Sequence, residues 1–293
     1  MNAESFSLNA YLADRRSLIE EALERFLPPV SDRPATLHAA MRHSIFAGGK
    51  RLRPILCLAA AEACGGDTNA ALPLAVALEC LHTYTLIHDD LPCMDDDDFR
   101  RGHPTCHKVY GEGIAVLAGD ALQALAFEVC GSQPRGALYA RELAIAAGSR
   151  HLVGGQVLDL EGEQKPLNIE ELRFIHRSKT AALLTASVRF GGLSAGASEE
   201  QLAALTRFGQ ACGLAFQIID DILDVTQSSE QLGKSAGKDN ATGKATYPSI
   251  LGMESSKAEA LALTREAHQA LGTFGSRSAP LRALADYLLN RDY

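Results

Sequence analysis

Apolar residues recur at three- and four-residue intervals along almost the whole chain, alanine and leucine dominate, and runs of β-branched residues are few. This is the period of an amphipathic helix. It predicts helices over residues 5–27, 34–47, 51–64, 69–90, 112–130, 136–161, 169–190, 199–226, 256–271 and 280–290. Breakers punctuate them at Pro28-Pro29, Gly48-Gly49, Gly65-Gly66, Pro92, Gly131, Gly191-Gly192 and Gly272. Asn168 with Glu171, Ser198 with Gln201, and Ser256 with Glu259 fit the capping box that opens a helix. Nearly every connection is short, which favours antiparallel neighbours in one bundle. The pattern predicts an all-α fold of about ten helices in a single domain over residues 1–293.

One segment departs from the pattern. Residues 227–246 are polar, with Gly233, Gly237 and Gly243 interleaved with Lys234, Lys238 and Lys244. Such a stretch suits an anion, and its place directly after an acidic helix end favours a functional loop over a bland one. The remaining composition narrows the classes. No uninterrupted apolar run reaches the ~18 residues that a membrane span requires, so none is expected. Residues 1–9 carry neither a basic region nor a long apolar core, which leaves a cytoplasmic location as the expectation. The seven cysteines form no CxxC pair and lie mostly in apolar runs, as buried thiols do. A net charge of -8 argues against a general nucleic-acid binder.

Two aspartate clusters carry the chemistry. Asp89 and Asp90 are followed by Asp95, with Asp96, Asp97 and Asp98 behind it; Asp220 and Asp221 are followed by Asp224. Each set ends an apolar stretch, where carboxylates are costly unless something positive compensates them. On a helix Asp220 and Asp224 share a face, with Asp221 beside them. The first set cannot be one regular helix, because Pro92 removes a donor and clashes with the preceding turn. A break near Pro92 is expected to bring Asp95 back toward Asp89. Magnesium takes oxygen ligands and binds through a few carboxylates plus substrate phosphates, so these sets with nearby cations suit a polyphosphate.

The cations are placed accordingly. Gly48-Gly49-Lys50-Arg51-Leu52-Arg53-Pro54 joins two helices and sets Lys50 and Arg53 on one face of the incoming turn. Arg100-Arg101-Gly102 follows the acidic run and either neutralises it or clamps a phosphate. Rival motifs fail. A calcium loop starting at Asp95 would need glycine where Arg100 stands, and Ser228 stands where a P-loop ending in Gly233-Lys234-Ser235 needs its first glycine. His103 and His107 around Cys106 read as ordinary surface histidines beside Pro104 rather than zinc ligands. Neither GxSxG nor HExxH occurs.

Together these residues resemble the short-chain trans-isoprenyl diphosphate synthases, most of all the bacterial-type farnesyl diphosphate synthases. The resemblance runs over essentially the whole chain. It rests on Gly49-Lys50-Arg51-x-Arg53-Pro54; His82 followed by Asp89-Asp90-x4-Asp95 and Arg100-Arg101-Gly102; Gly154-Gly155-Gln156-x-x-Asp159; Lys179-Thr180; Phe216-Gln217-x-x-Asp220-Asp221-x-x-Asp224; and Gly233-Lys234 with Lys238 and Lys244. It implies an all-α bundle around a central cavity, a homodimer, and the two Asp motifs on facing helices. By the same resemblance Asp89, Asp90, Asp95, Asp220, Asp221 and Asp224 hold about three Mg²⁺ on an allylic diphosphate. Arg100, Lys179, Lys234 and Lys244 contact that diphosphate; Gly49, Lys50, Arg53, His82 and Arg101 belong to the isopentenyl diphosphate site; Thr180 and Gln217 line the place where allylic positive charge develops. Of these, Lys179, Thr180, Gln217 and Arg100 are the candidate catalytic residues.

Such chemistry needs no protein nucleophile. Carbon–oxygen ionisation leaves negative charge on the diphosphate, which preorganised cations stabilise directly; the double bond of isopentenyl diphosphate attacks the allylic cation, and a proton is lost to the released diphosphate. Water must stay out, a task for the 227–246 segment as a closing lid. Thr85 and Tyr84 lie about one and one and a half turns before Asp89. In the resembling family an aromatic at the Tyr84 position accompanies termination at fifteen carbons, so farnesyl diphosphate is the expected product and geranyl or geranylgeranyl diphosphate the alternatives. A class I terpene cyclase is disfavoured by Asp220-Asp221-x-x-Asp224, and a noncatalytic prenyltransferase subunit by the presence of both motifs.

Overall fold

The computed structural model of the chain describes residues 6–162, 165–226 and 245–289. These form the all-α fold that the periodicity predicts, with one short hairpin added. They divide into two compact units. One contains the first aspartate cluster and comprises Leu12–Ile55 and Leu72–Ala140; the other contains the second cluster and comprises residues up to Tyr11, Leu56–Ala71 and the chain from Arg141.

In the first-cluster unit, α1 (Leu8–Phe26) turns Leu12, Ile19, Ala22 and Leu23 inward, the spacing of one helical face. Helix α2 (Ala35–Phe46) buries Ala40, Met41 and Ile45. The chain then passes a sharp junction in which Gly48 (φ 92°), Gly49 (φ 141°) and Arg51 (φ 50°) all take positive φ before α3 (Leu52–Ala63) begins. A left-handed arginine is unfavourable, and it is held by its side chain. Arg51 donates from Nε to Glu20 (2.7 Å), from Nη1 to the buried Glu79 (2.7 Å), and from Nη2 to the Ile45 carbonyl (2.6 Å). Helix α4 (Thr68–Asp89) is apolar nearly all round and carries the first cluster at its end. After it, strands Phe99–Arg100 and His103–Pro104 pair antiparallel around Arg101 (φ 55°) and Gly102 (φ 79°). Positive φ at both central residues is the geometry of a two-residue hairpin. Helix α5 (Cys106–Tyr110) and α6 (Glu112–Gly131) follow, and both pack on α2.

The second-cluster unit is built on α11 (Glu199–Thr226), against which lie α10 (Ala182–Ser194), α13 (Met253–Ala270) and α14 (Ala279–Leu289). The predicted helix over 136–161 is two, α7 (Gly136–Ala147) and α8 (Leu152–Gly162), parted by a turn in which His151 N–H bonds the Gly148 carbonyl. The predicted helix over 169–190 begins as α9 (Ile169–His176), widens into a π-helical turn at Arg177–Ala181, and continues as α10. Both Asn168–Glu171 and Ser198–Gln201 make their capping boxes. Ser256 does not: α13 starts at Met253, and the Ser256 hydroxyl donates back to the Gly252 carbonyl inside the helix. The box in this region is Thr246 with Ser249, opening α12 (Tyr247–Leu251). No disulfide joins the cysteines among the described residues.

By length and composition alone, α4, α6 and α11 are apolar enough to cross a membrane, although none is an uninterrupted apolar run. They differ in where that surface goes: 78% of the most apolar stretch of α4 is buried, against 39% in α6, which leaves Val116 and Leu117 exposed. Arg51→Met would strand the Glu79 carboxylate in the interior, and the expected loss is about 3–5 kcal/mol of unfolding free energy. Denaturant unfolding of Arg51→Met and of Arg51→Met with Glu79→Gln checks this, the second substitution recovering part of the loss.

Candidate active site

The end of α4 sets the first group. The helix stops at Asp89, and the chain doubles back so that the Asp95 N–H bonds the Asp89 carbonyl at 2.8 Å. The break at Pro92 thus returns Asp95 to Asp89, as the sequence predicts. Asp90 is buried, and Arg100 grips it, Nε lying 2.8 and 3.0 Å from its two oxygens. Of the two roles open to Arg100, this structure shows neutralisation. Burial still pushes the Asp90 carboxyl above the usual carboxylate range, against the pull of Arg100.

Beside it stands a crowd of cations. Arg53 Nη1 lies 3.2 Å from His82 Nε2. Burial first, and then Arg53, Arg101, Arg100 and Arg51, hold His82 well below the usual imidazole range, so the ring is neutral at pH 7 and accepts the Arg53 N–H. Arg101, at the hairpin tip, donates to the Gly48 carbonyl. The backbone at φ 141° favours glycine at Gly49, and Arg101 Nη1 lies 2.4 Å from where a Cβ would stand. Gly49, Arg53, His82 and Arg101 are therefore together, and Lys50 is exposed at the same junction. Guanidinium groups this close repel one another, and a bound anion relieves that repulsion.

Deeper in α4, Tyr84 and Thr85 are both buried. The Tyr84 ring meets His88 edge-on at 5.6 Å, and the Thr85 hydroxyl donates to the His82 carbonyl. The structure also groups residues for which the sequence offered no role. Asp96, Asp98 and His107 present ligand atoms within 4.8 Å of one another. His107 is buried, not the surface histidine expected, because its ring turns in beside the Thr105 hydroxyl.

In the second-cluster unit one face of α11 carries Gly213, Gln217 and Asp221 at intervals of four. The π-helical turn fits against that face closely: a Cβ on Gly213 would lie 2.6 Å from the Ala181 Cα, and one on Gly155 of α8 would lie 2.5 Å from the Lys179 nitrogen. These contacts place Thr180 so that its hydroxyl donates to Gln217 Oε1, and Lys179 so that Nζ lies 2.6 Å from Asp159. Asp159, Lys179, Thr180, Gln217, Asp221 and His176 share the lining of a cavity of about 180 Å³.

Asp221 is fixed from two sides, accepting from the Tyr247 backbone N–H at 2.8 Å and lying 3.1 Å from His176 Nε2. The His176 and Tyr247 rings stack at 5.6 Å, and burial raises the Tyr247 phenol well above its ordinary value. His176 and Tyr247 are the support that sequence reading missed. The only available signal was their place near Lys179 and after the lysine-rich segment. Asp224 is buried too, and its Oδ2 has no hydrogen-bond partner among the described residues. An unpartnered buried carboxylate oxygen beside other oxygen donors fits a hard divalent cation. Lys234, Lys244 and nearly all of the 227–246 segment lie outside the described residues.

Known proteins share this arrangement of sequence and fold. The chain is 48% identical over 299 residues to a geranylgeranyl pyrophosphate synthase, chloroplastic, of Catharanthus roseus, covering 99% of this chain and 83% of that one. It is 50% identical over 296 residues to a dimethylallyltranstransferase of Fischerella ambigua, covering 99% and 85%. Among solved structures, an FPP/GFPP synthase from Zymomonas mobilis superposes with a TM-score of 0.87 at 36% identity, covering 96% of this chain and 98% of that one. A family model described as polyprenyl synthetase matches residues 34–273. With that model matching most of the chain, and relatives and solved structures alike along nearly its whole length, the chain belongs to the polyprenyl synthetase family.

Proposed function

We propose that this prenyltransferase is magnesium-dependent and extends allylic diphosphates with isopentenyl diphosphate, geranylgeranyl diphosphate being the end product. The observation that carries the reading is the buried Asp221–Asp224 pair, with its unpartnered oxygen, next to the cavity lined by Lys179, Thr180 and Gln217. Twenty carbons is favoured over the fifteen expected from the sequence by the identity to the Catharanthus roseus synthase. Tyr84 favours a second reading, farnesyl diphosphate, because its buried ring stands below Asp89 where a growing chain would run.

Asp89, Asp90, Asp95, Asp220, Asp221 and Asp224 would hold the ions. Bound Mg²⁺ supplies electrophilic stabilisation of the departing diphosphate. The chain's own groups do the rest. Lys179 exchanges Asp159 for a diphosphate oxygen, and Arg100 does likewise with Asp90, so both are stored as ion pairs until substrate arrives. Arg53 and Arg101 bind the diphosphate of isopentenyl diphosphate, with neutral His82 orienting Arg53 and Lys50 completing the site. The Thr180 hydroxyl is oriented by Gln217, which turns its lone pairs toward developing positive charge rather than offering a nucleophile. Lys234 and Lys244 serve as further diphosphate ligands, and the protein works as a homodimer, for which the exposed Val116 and Leu117 of α6 are suited.

Incubation with Mg²⁺, isopentenyl diphosphate and dimethylallyl diphosphate, followed by sizing of the dephosphorylated alcohols, should give a C20 alcohol. A C15 end product that lengthens in Tyr84→Ala would establish the second reading instead, and absence of any product would overturn both. Lys179→Ala and Asp224→Asn should each lower kcat by about 10²-fold or more. Mg²⁺ with inorganic diphosphate should raise the melting temperature, by the equivalent of about 2.7 kcal/mol at a hundredfold excess over Kd. Asp221→Asn should remove most of that increase.

A further inference from the structure

The π-helical turn Arg177–Ala181 has two sides. Lys179 and Thr180 line the polar cavity described above, while Arg177, Ser178 and Ala181 line another, of about 560 Å³. Its remaining walls come from α7, the turn between α7 and α8, α9, α10, α11 and α13 of the same unit. This volume lies within the roughly 300–1,000 Å³ typical of small-molecule sites.

The lining has two chemistries. Ala146, Ala182, Ala186, Leu214 and Leu263 supply apolar wall, and Ile145 and Phe174 stay exposed beside it. Arg150, His151, Arg177 and Arg189 face Glu142 and Glu266, an excess of basic groups. Glu142 is gripped by Arg189 through two contacts of 2.9 Å, which leaves Arg150 and Arg177 against Glu266 alone among the lining carboxylates, an excess of one positive charge. Thr185 is part of the wall. It is 8% exposed, and its hydroxyl has no hydrogen-bond partner among the described residues. Other helical hydroxyls in this unit bond back one turn, as Ser187 does to Leu183, Thr206 to Leu202 and Thr264 to Ala260. That oxygen is enclosed against Gly209 of α11, where a Cβ would fall 3.0 Å from it, so it is not open to a ligand and the site rests on its shape and its charged rim.

We propose that this cavity is a second ligand site, for a small amphiphile with an anionic head and an apolar tail. Its occupancy is coupled to Lys179 and Thr180 through the turn that both cavities share. The head pairs with Arg150 and Arg177, and the tail lies on the alanine and leucine wall. Because Ser178 and Ala181 bracket Lys179 and Thr180, which line the other cavity, a ligand that displaces them moves Lys179 and Thr180 as well. A π turn is a backbone with hydrogen bonds already offset, a form common at functional sites. The occupant's class includes prenyl diphosphates and acyl anions, which share the same head and tail chemistry.

The test is calorimetric titration with dodecyl phosphate below its micellar concentration, with Mg²⁺ and inorganic diphosphate saturating the candidate active site. One binding event should persist there, and should weaken at least tenfold in Ala182→Phe, which fills the cavity, and in Arg150→Ala. Circular dichroism checks that both variants fold. Loss of the event when diphosphate is present, or equal binding to Ala182→Phe, overturns the proposal. Farnesyl diphosphate and laurate as alternative ligands distinguish the sources: tighter binding of the first indicates a prenyl diphosphate, and equal or tighter binding of laurate an acyl anion. The binding arm does not depend on turnover, so it stands apart from the proposed activity. The coupling arm reads elongation kcat, which dodecyl phosphate should alter in the wild type and not in Ala182→Phe; an unaltered wild type would overturn the coupling.

Discussion

Carboxylates are costly to remove from water, and Asp90, Asp221 and Asp224 are each almost fully removed at the end of an apolar helix. Everything around them answers that cost in a different way. Asp90 is neutralised by Arg100, Asp221 takes a backbone N–H and the His176 ring, and Asp224 keeps one oxygen without a partner among the described residues. A protein gains nothing in stability from such an arrangement, since well-packed apolar residues would serve the fold better. Retaining it makes sense where a cation and its substrate complete the pairing.

The cationic groups show the converse. Lys179 is held by Asp159 and Arg100 by Asp90, so each long side chain is kept in place by a carboxylate that a diphosphate can replace. At the basic junction Arg53 rests on a histidine kept neutral by its neighbours, and Arg101 on a backbone carbonyl. These are weaker partners than a diphosphate. Arg51 is satisfied by two carboxylates and a carbonyl, and its work is to hold the left-handed turn that presents the others.

Close backbone approach is the second constraint. Gly155 and Gly213 let α8 and α11 touch the π turn with no side chain between, and that contact aims Thr180 at Gln217. The same turn faces two cavities of different character, one polar and one mixed. Lys179 and Thr180 face the first, and Arg177, Ser178 and Ala181 on either side of them face the second.

Much of this was legible in the chain. A period near 3.6 gave the helices, Pro92 gave the return of Asp95 to Asp89, and two of the three capping boxes formed as spaced, because each depends on residues within a few positions of one another. The third, at Ser256, failed because α13 packs from Met253 onward and encloses that serine. Local pattern likewise ran through the turn between α7 and α8 and past the π turn, where tertiary packing overrides propensity. The roles of His176, Tyr247 and Thr185 were invisible for the same reason. Each is set by a partner, or the lack of one, contributed by another helix. Sequence by itself determined which residues carry charge and which helix face bears them, since both follow from composition and period. Only the tertiary structure decided which charges are paired, which oxygen and which hydroxyl are left unmet, and what a single turn faces on its two sides, because those depend on distances between segments far apart in the chain.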